Sequence, residues 1–418
     1  MECPENARSM KILAIYKYYW PDTTPYARIL KGILEKWVED GHDAQVITAQ
    51  PGYNDIRHPR QPDYEVLGGV GVRRLRIVRE VKRSSVLRAL SFVTFLSQAL
   101  FRACTGPRAD MIIVNPHPPV LMGLTVRLIK LLRGIPYVYH CEDIHPESAL
   151  AAGTLNKGWL YRLLLRFDTA SCRHATLIVT LSRDMVGTLL ARGVDENRIC
   201  VINNYILGTE EAPASGESVI VRQFGDHESV FVLLFAGNIG LYQGLDHFIH
   251  TARLLRHRPE IKFVFMGEGA AKEGLKRLAG DMVEQTVYFA PFQPLPVARQ
   301  AMAEADLALV SLARGVFRVA YPSKTMNCLA AGSPVLAIVE SESVLAGEIR
   351  EHQLGFCCVQ GDHEATAAAI AEACDDRVAW RQERARIAGW AESHFGRQRI
   401  LGAWSEIPGK VAAWQTKD

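Results

Sequence analysis

Short, nearly unbroken apolar runs alternate with segments in which apolar residues recur every three or four positions. Lys11–Tyr16 reads as a buried strand. Tyr26–Asp40 reads as a helix, because Ile29, Leu30, Ile33, Leu34, Trp37 and Val38 share one face and Gly41 supplies a stop. Ala44–Thr48 is strand again, followed by Met111–Asn115, Pro136–His140, Ala175–Thr180 and Arg198–Ile202. Between them, Val120–Leu132, Gly158–Arg173 and Arg183–Arg192 carry helical spacing. Continuous apolar strands joined by helices predict a parallel sheet covered on both faces.

The composition breaks at Gly208–Glu217, which is rich in Gly, Glu, Ala, Pro and Ser and reads as a linker. The alternation then restarts, with strands at Val230–Ala236, Lys262–Met266, Val287–Ala290, Leu307–Ser311, Pro334–Val339 and Phe356–Val359. Leu245–Arg256, Lys272–Leu278, Val297–Glu304 and Ser323–Ala331 read as the helices between them, and 378–414 shows no clear strand. The fold class predicted is therefore α/β, with two doubly wound Rossmann-like domains facing a central cleft, at 10–205 and 206–385, and helices over 386–418. A chain of 418 residues suits that organisation.

Charge changes the picture. Residues 1–205 hold 27 Lys and Arg against 19 Asp and Glu, whereas 206–418 hold 21 against 26. The basic excess peaks between Arg73 and Arg133, with 12 basic residues against Glu80 and Asp110. Such a half suits an anionic membrane or a phosphorylated substrate. No helix-turn-helix, zinc-finger or RNA-recognition signature accompanies it, so no nucleic-acid partner is expected. The nine cysteines have no ligand spacing and are expected to be reduced core thiols, with no metal site. The first nine residues lack an apolar segment, so no signal peptide is expected, and Met10 reads as the effective start. No run of 18 apolar residues exists, and no bilayer-spanning helix is expected.

In doubly wound sheets, ligands bind outside the carboxyl ends of the strands, so candidate chemistry is sought there. After the first strand, Asp22, Thr23 and Thr24 lie in a loop that enters a helix, with either threonine able to cap it. The loop is read equally as an acceptor contact or as a simple turn. His117 stands at a strand tip among prolines, as a structural or a cleft histidine. The stretch His140 to Glu147 gathers His140, Glu142, Asp143, His145 and Glu147, a candidate acceptor pocket. In the second half, Gly237, Asn238, Gly240 and Gln243 form a glycine-rich loop after a strand, open to an anion. Gly267 and Gly269 make only a truncated dinucleotide fingerprint. Ser323 is placed to cap the helix that carries Lys324 and Asn327. A lysine in a first turn opposes the helix dipole, which points to an anionic partner and a grip on diphosphate and ribose.

Several strings together resemble the GT-B glycosyltransferases of retaining family four: E-D-I-H-P-E-S, V-T-L-S, V-I-N-N, F-A-G-N-I-G-L-Y-Q-G-L-D and Y-P-S-K-T-M-N-C-L-A-A-G-S-P-V-L-A, after an opening K-I-L with Y-W-P-D and G-H-D-A-Q-V-I-T. The subgroup resembled is that of bacterial L-fucosamine, O-antigen and capsule polysaccharide transferases, over about residues 10 to 400. The resemblance implies an acceptor-binding first domain, a nucleotide-sugar-binding second domain and final helices that pack back on the first. It implies that Lys324 meets the diphosphate with Ser323 in support, that Gly237–Gly244 approaches the same phosphates, and that backbone near Phe292 meets the base. UDP is the favoured nucleotide on the same ground. Where the broad family has an Arg and a Lys, this chain has Asn238 and Gln243; where it has a Glu pair, this chain has Val319 and Asn327.

The chain has no Asp-x-Asp to hold a divalent metal, so charge neutralisation is expected from Lys324 and backbone N–H groups, with no cofactor. The expected activity is metal-independent transfer, with retention, of a sugar to a polyprenyl-diphosphate-linked acceptor in bacterial surface polysaccharide assembly. Catalytic candidates are Asp143, Glu142, His117 and Lys324; acceptor candidates are Asp22, Thr23, Thr24, His117, His140 and Asp143. Alternatives are a non-catalytic partner subunit of another transferase and a sugar-nucleotide epimerase. Val86–Phe101 is apolar around most of its circumference and flanked by Arg79, Lys82, Arg83 and Arg102. It is read as a core helix or as a contact with the anionic inner membrane, on which the protein would be peripheral and cytoplasmic.

Overall fold

The computed structural model describes residues 9–22, 24–52, 59–78, 84–208, 218–225 and 227–415. Thr23, Arg79, Lys82 and Arg83 lie outside the described residues, as does most of the expected linker. The chain forms two compact units. The first takes Met1–Glu147, Leu155–Asn204 and Gln398–Asp418; the second takes Ser148–Thr154 and Tyr205–Arg397.

The first unit is built on β1 (Lys11–Ile15), β2 (Asp43–Ala49), β3 (Tyr64–Leu67), β4 (Val70–Leu75), β5 (Met111–Val114), β6 (Tyr137–Cys141), β7 (Leu177–Thr180) and β8 (Ile199–Val201). Their order in the sheet is β3-β4-β2-β1-β5-β6-β7-β8, parallel except for β3 against β4. The expected parallel sheet is present. Its central strands β5 and β6 are buried at every position, which is why they read as unbroken apolar runs. The hairpin of β3 and β4 was not anticipated. Its strand β3 lies at the sheet edge with exposed positions, and Gly68 and Gly69 turn it with φ of +57° and +80°.

Among the described residues, α1 (Pro25–Glu39), α2 (Ser85–Thr105), α3 (Leu121–Arg133), α5 (Trp159–His174) and α6 (Arg183–Ala191) belong to this unit, while α4 (Glu147–Ala151) leaves it after Glu147. Thr24 caps α1 by accepting from Ala27 N at 3.3 Å. Over Val86–Thr105, α2 is long and apolar enough to cross a membrane by length and composition. Counting unbroken apolar runs hides this, because Arg88, Thr94 and Gln98 interrupt it. One side of α2 is nevertheless seated on the unit, with Ser91, Phe95, Ala99 and Ala103 buried.

The second unit carries β9 (Phe231–Ala236), β10 (Ile261–Met266), β11 (Val287–Ala290), β12 (Leu307–Ser311), β13 (Val335–Ile338) and β14 (Gly355–Cys358), in the order β11-β10-β9-β12-β13-β14 and parallel throughout. Its helices are α7 (Val219–Phe224), α8 (Asp246–Leu254), α9 (Lys272–Ala279), α10 (Leu295–Glu304), α11 (Lys324–Ala330), α12 (Val344–Glu351), α13 (His363–Asp375) and α14 (Arg377–Phe395). Phe235, Phe248, Phe263, Phe265 and Leu309 fill its core. The chain re-enters the first unit at Gln398, with α15 (Arg397–Ser405) followed by α16 (Ile407–Gln415). There Trp37 Nε1 donates to Trp404 O at 2.8 Å, and the two rings meet edge-on at 6.0 Å. A single apolar-to-polar change at either tryptophan would open the anchor of the C-terminal helices.

Candidate functional site

Each sheet reverses strand order at its centre, between β1 and β5 in the first unit and between β9 and β12 in the second. Loops diverge at such points and leave a crevice at the strand ends.

In the first unit, Tyr16 directly follows β1, and its hydroxyl lies 3.1 Å from His140 Nδ1 at the end of β6. Both are buried, and His140 also meets the edge of Trp404 at 4.9 Å. Burial pushes His140 down to about 3, so it is neutral at physiological pH, and pushes the Tyr16 hydroxyl up. His145 is likewise pushed down to about 4 by burial, with Arg192 adding to the effect.

Arg192 sorts the acidic stretch into two parts. Its guanidinium pairs with Asp168 at 2.6 Å, with Glu147, and with the His145 carbonyl. Glu147 and His145 are thereby fixed as structure. Glu142 and Asp143 stand apart from that network, each half-buried. Burial pushes Glu142 up to about 8, its neighbour Asp143 adds to the rise, and a hydrogen bond with Asn204 opposes it. Burial alone pushes Asp143 up to about 6. At neutral pH the pair therefore holds about one proton, with one carboxyl able to donate and the other able to accept.

His117 follows β5. Its ring lies 5.4 Å from both Tyr18 and Phe92, and Lys17 Nζ sits 4.3 Å over the Phe92 ring. This places His117 in an aromatic and cationic cluster on the α2 side of the strand ends. Asp22 and Thr24 serve the loop itself. Asp22 Oδ1 accepts from Gly52 N at 3.1 Å, Thr24 is the helix cap, and both are buried.

In the second unit, Lys324 opens α11 and is half-buried. Its ammonium donates to Gln243 Oε1 at 3.0 Å and lies 3.6 Å from the centre of the Phe235 ring. A Cβ on Gly237 would come within 3.7 Å of that ammonium, so the backbone after β9 and the lysine adjoin. Gly237 has φ of +142°, a conformation that L side chains rarely adopt. Burial pushes Lys324 down to about 7, with Cys328 weakly opposing. The neutral Gln243 carbonyl holds the ammonium where a second lysine would repel it. An anion arriving there would raise the lysine back to full charge.

One expectation is corrected here. Ser323 occupies the cap position, but its φ of −54° and ψ of −21° are already helical and its side chain makes no capping bond. The helix it precedes has seven residues, so the pull on an anion rests on the ammonium rather than on a helix dipole. Asn327 Oδ1 accepts from Leu207 N at 3.0 Å, which ties it to the segment entering the second unit.

Gly267 has a structural role. A Cβ there would fall 1.9 Å from Gly237 O, and one on Gly269 would fall 2.2 Å from Ile239 O. These glycines let the loops after β9 and β10 lie backbone to backbone, tied by Gly237 N to Met266 O and Ile239 N to Glu268 O, each at 2.9 Å. Asn238 is exposed beside Gly240, and Phe292, two residues past β11, is 55% exposed. Tyr16 and Asn204 were missed from sequence. Their positions one residue past β1 and three past β8 were the available signals.

Comparisons with known proteins follow this division. Residues 26–205 match the family described as Glycosyl transferase 4-like domain, and residues 219–392 match Glycosyl transferases group 1. The chain is 29% identical over 271 residues to the probable glycosyltransferase WbjE of Pseudomonas aeruginosa, covering 64% of this chain and 67% of that one. It is 26% identical over 382 residues to the putative colanic acid biosynthesis glycosyl transferase WcaI of Escherichia coli K12, covering 87% and 92%. Among solved structures, Anabaena HepE in complex with UDP-glucose superposes with a TM-score of 0.68 at 17% identity, over 95% of this chain and 99% of that one. At that identity the likeness speaks for the fold.

Proposed function

The chain belongs to the group 1 glycosyltransferases, with the two-Rossmann-domain GT-B fold, and from that premise we propose that it moves a sugar from a UDP-sugar to a lipid-linked acceptor in bacterial surface polysaccharide assembly. The observation that carries the donor half is the half-buried Lys324 ammonium, held by Gln243 against the glycine backbone at Gly237. A diphosphate needs concentrated positive charge in a site poor in water, and this is where the second unit offers it. HepE bound to UDP-glucose supports a uridine donor, and WcaI, named for colanic acid biosynthesis, supports the polysaccharide setting.

Transfer is metal-independent and retains anomeric configuration in this reading. Lys324 and the backbone N–H groups of the Gly237–Gly244 loop neutralise the charge that grows on the leaving diphosphate. The acceptor hydroxyl attacks on the face the diphosphate leaves, and a diphosphate oxygen takes its proton. Asp143 orients that hydroxyl, and Glu142, protonated at neutral pH, limits the charge around it.

A non-catalytic, nucleotide-sugar-binding partner subunit is the second reading. It is favoured by neutral Asn238, Val319 and Asn327, the last already bonded to Leu207. One experiment separates the readings. The purified chain is incubated with UDP- and GDP-sugars and a polyprenyl-diphosphate-linked acceptor, with a chelator present, and the product anomer is read by NMR. Transfer with retention is expected. Donor binding without transfer would establish the second reading, and an inverted anomer would overturn the mechanism.

A further inference from the structure

Three neighbouring helices of the first unit form a continuous layer. The connections from β4 to β5, from β5 to β6 and from β6 to β7 all step the same way across the sheet, which puts α2, α3 and α5 on one face. Accordingly, α2 packs on α3 and α3 on α5. The outer surface of that layer is apolar to an unusual degree. From α2 it presents Val86, Leu90, Val93 and Phe101, the last 66% exposed. From α3 come Leu128, Leu131 and Leu132, and from α5 come Trp159, Leu163 and Phe167, with Leu131 81% and Trp159 72% exposed. An apolar surface shared by three adjacent helices is larger than scattered surface residues explain.

Charge identifies what covers it. Together α2, α3 and α5 carry Arg88, Arg102, Arg127, Lys130, Arg133, Arg162, Arg166 and Arg173. Their one acidic residue is Asp168, which is buried and paired with Arg192. The layer is therefore apolar and cationic, with no acidic group at its surface. Two copies of such a face would repel each other, which disfavours self-association. A cationic, apolar surface matches the headgroups and acyl boundary of an anionic bilayer. The buried residues Phe95, Ala99 and Ala103 keep α2 seated on the unit, so α2 lies along that boundary rather than crossing it.

We propose that the α2–α3–α5 face docks the first unit onto an anionic membrane, with the apolar side chains entering the interface and the arginines meeting lipid phosphates. This does not depend on the donor chemistry above, although it would bring the protein to a lipid-linked acceptor.

The test is co-sedimentation of the full chain, without donor or acceptor, with phosphatidylglycerol-containing and with pure phosphatidylcholine vesicles, at low and high salt. Binding to the anionic vesicles that weakens with salt is expected. Arg102→Gln, Arg162→Gln and Arg166→Gln should each lower the partition coefficient by about fivefold at low salt. Leu131→Ser with Trp159→Ser should lower it at either salt concentration. These side chains are exposed, so UDP binding by the same variants, followed by thermal shift, should be unchanged and reports folding separately. The idea is overturned if the parent stays in the supernatant with anionic vesicles at low salt, or if all variants sediment as the parent does. It is equally overturned if sedimentation velocity shows a dimer that Leu131→Ser with Trp159→Ser splits and that binds no vesicle.

Discussion

The two units treat the ends of their strands differently. The first crowds ionisable groups there and strips most of their charge by burial: His140 and His145 are neutral, and Glu142 holds its proton to about pH 8. The second places the Lys324 ammonium beside bare glycine backbone, while the Lys272 ammonium is taken by Gly267 O and Glu268. Their outer helices differ too. The layer of α2, α3 and α5 shows only cations, whereas α9 mixes both signs and α13 carries Glu364, Glu372 and Asp375 with no Lys or Arg. A crowded set of near-neutral groups suits a neutral hydroxyl to be oriented and deprotonated. A lone, partly desolvated cation suits a ligand that arrives with its own negative charge.

The largest break in this contrast should come at the buried ion-pair network around Arg192 in the first unit. Arg192→Met leaves Asp168 buried without its partner and frees Glu147 and the His145 carbonyl. Such a loss costs about 3–5 kcal/mol, to be read by urea denaturation. Asp143→Asn should come next, lowering transfer by about a hundredfold while leaving donor affinity intact. Normal transfer by the folded variant would remove Asp143 from the site. Gly267→Ala, which drives a methyl into Gly237 O, should destabilise the second unit by about 1–3 kcal/mol and weaken donor binding, measured by thermal shift with and without UDP.

The last effect is a slope with pH. The folded protein holds the Glu142 proton more tightly than the unfolded chain, whose carboxyl titrates near 4.5. That contribution is complete below pH 4.5 and is lost as pH rises through about 8. Glu142→Gln should flatten the fall in stability over that window in calorimetry at stepped pH. Parallel slopes for parent and variant would show that the carboxyl is not held neutral.

Much of this was legible along the chain because parallel strands write themselves as unbroken apolar runs, as in β5, β6 and β9. The residues just past them then pointed to Glu142, Asp143 and Gly237, and a lysine set against a helix dipole pointed to Lys324. What escaped was tertiary or local. Tyr16 gains its part only by meeting His140, which is 124 positions away. Asp22, Thr24 and Asn327 have side chains suited to a ligand, yet each is taken by nearby backbone N–H groups. Gly267 looked like part of a phosphate loop because close backbone packing and close ligand approach both require glycine. The turn at Gly68 and Gly69 was visible, but β3 is a four-residue edge strand with exposed positions, and Gly71, Arg73 and Arg74 interrupt the apolar run of β4.

We propose that the second unit meets a diphosphate through Lys324. Isothermal titration of the parent and of Lys324→Met with UDP and with uridine tests it most directly. The variant should lose about 1.5–3 kcal/mol of UDP affinity and almost none for uridine. The parent's UDP affinity should also fall as pH rises past about 7, where the free ammonium gives up its proton. Equal losses for both ligands, or a UDP affinity indifferent to the substitution, would contradict it.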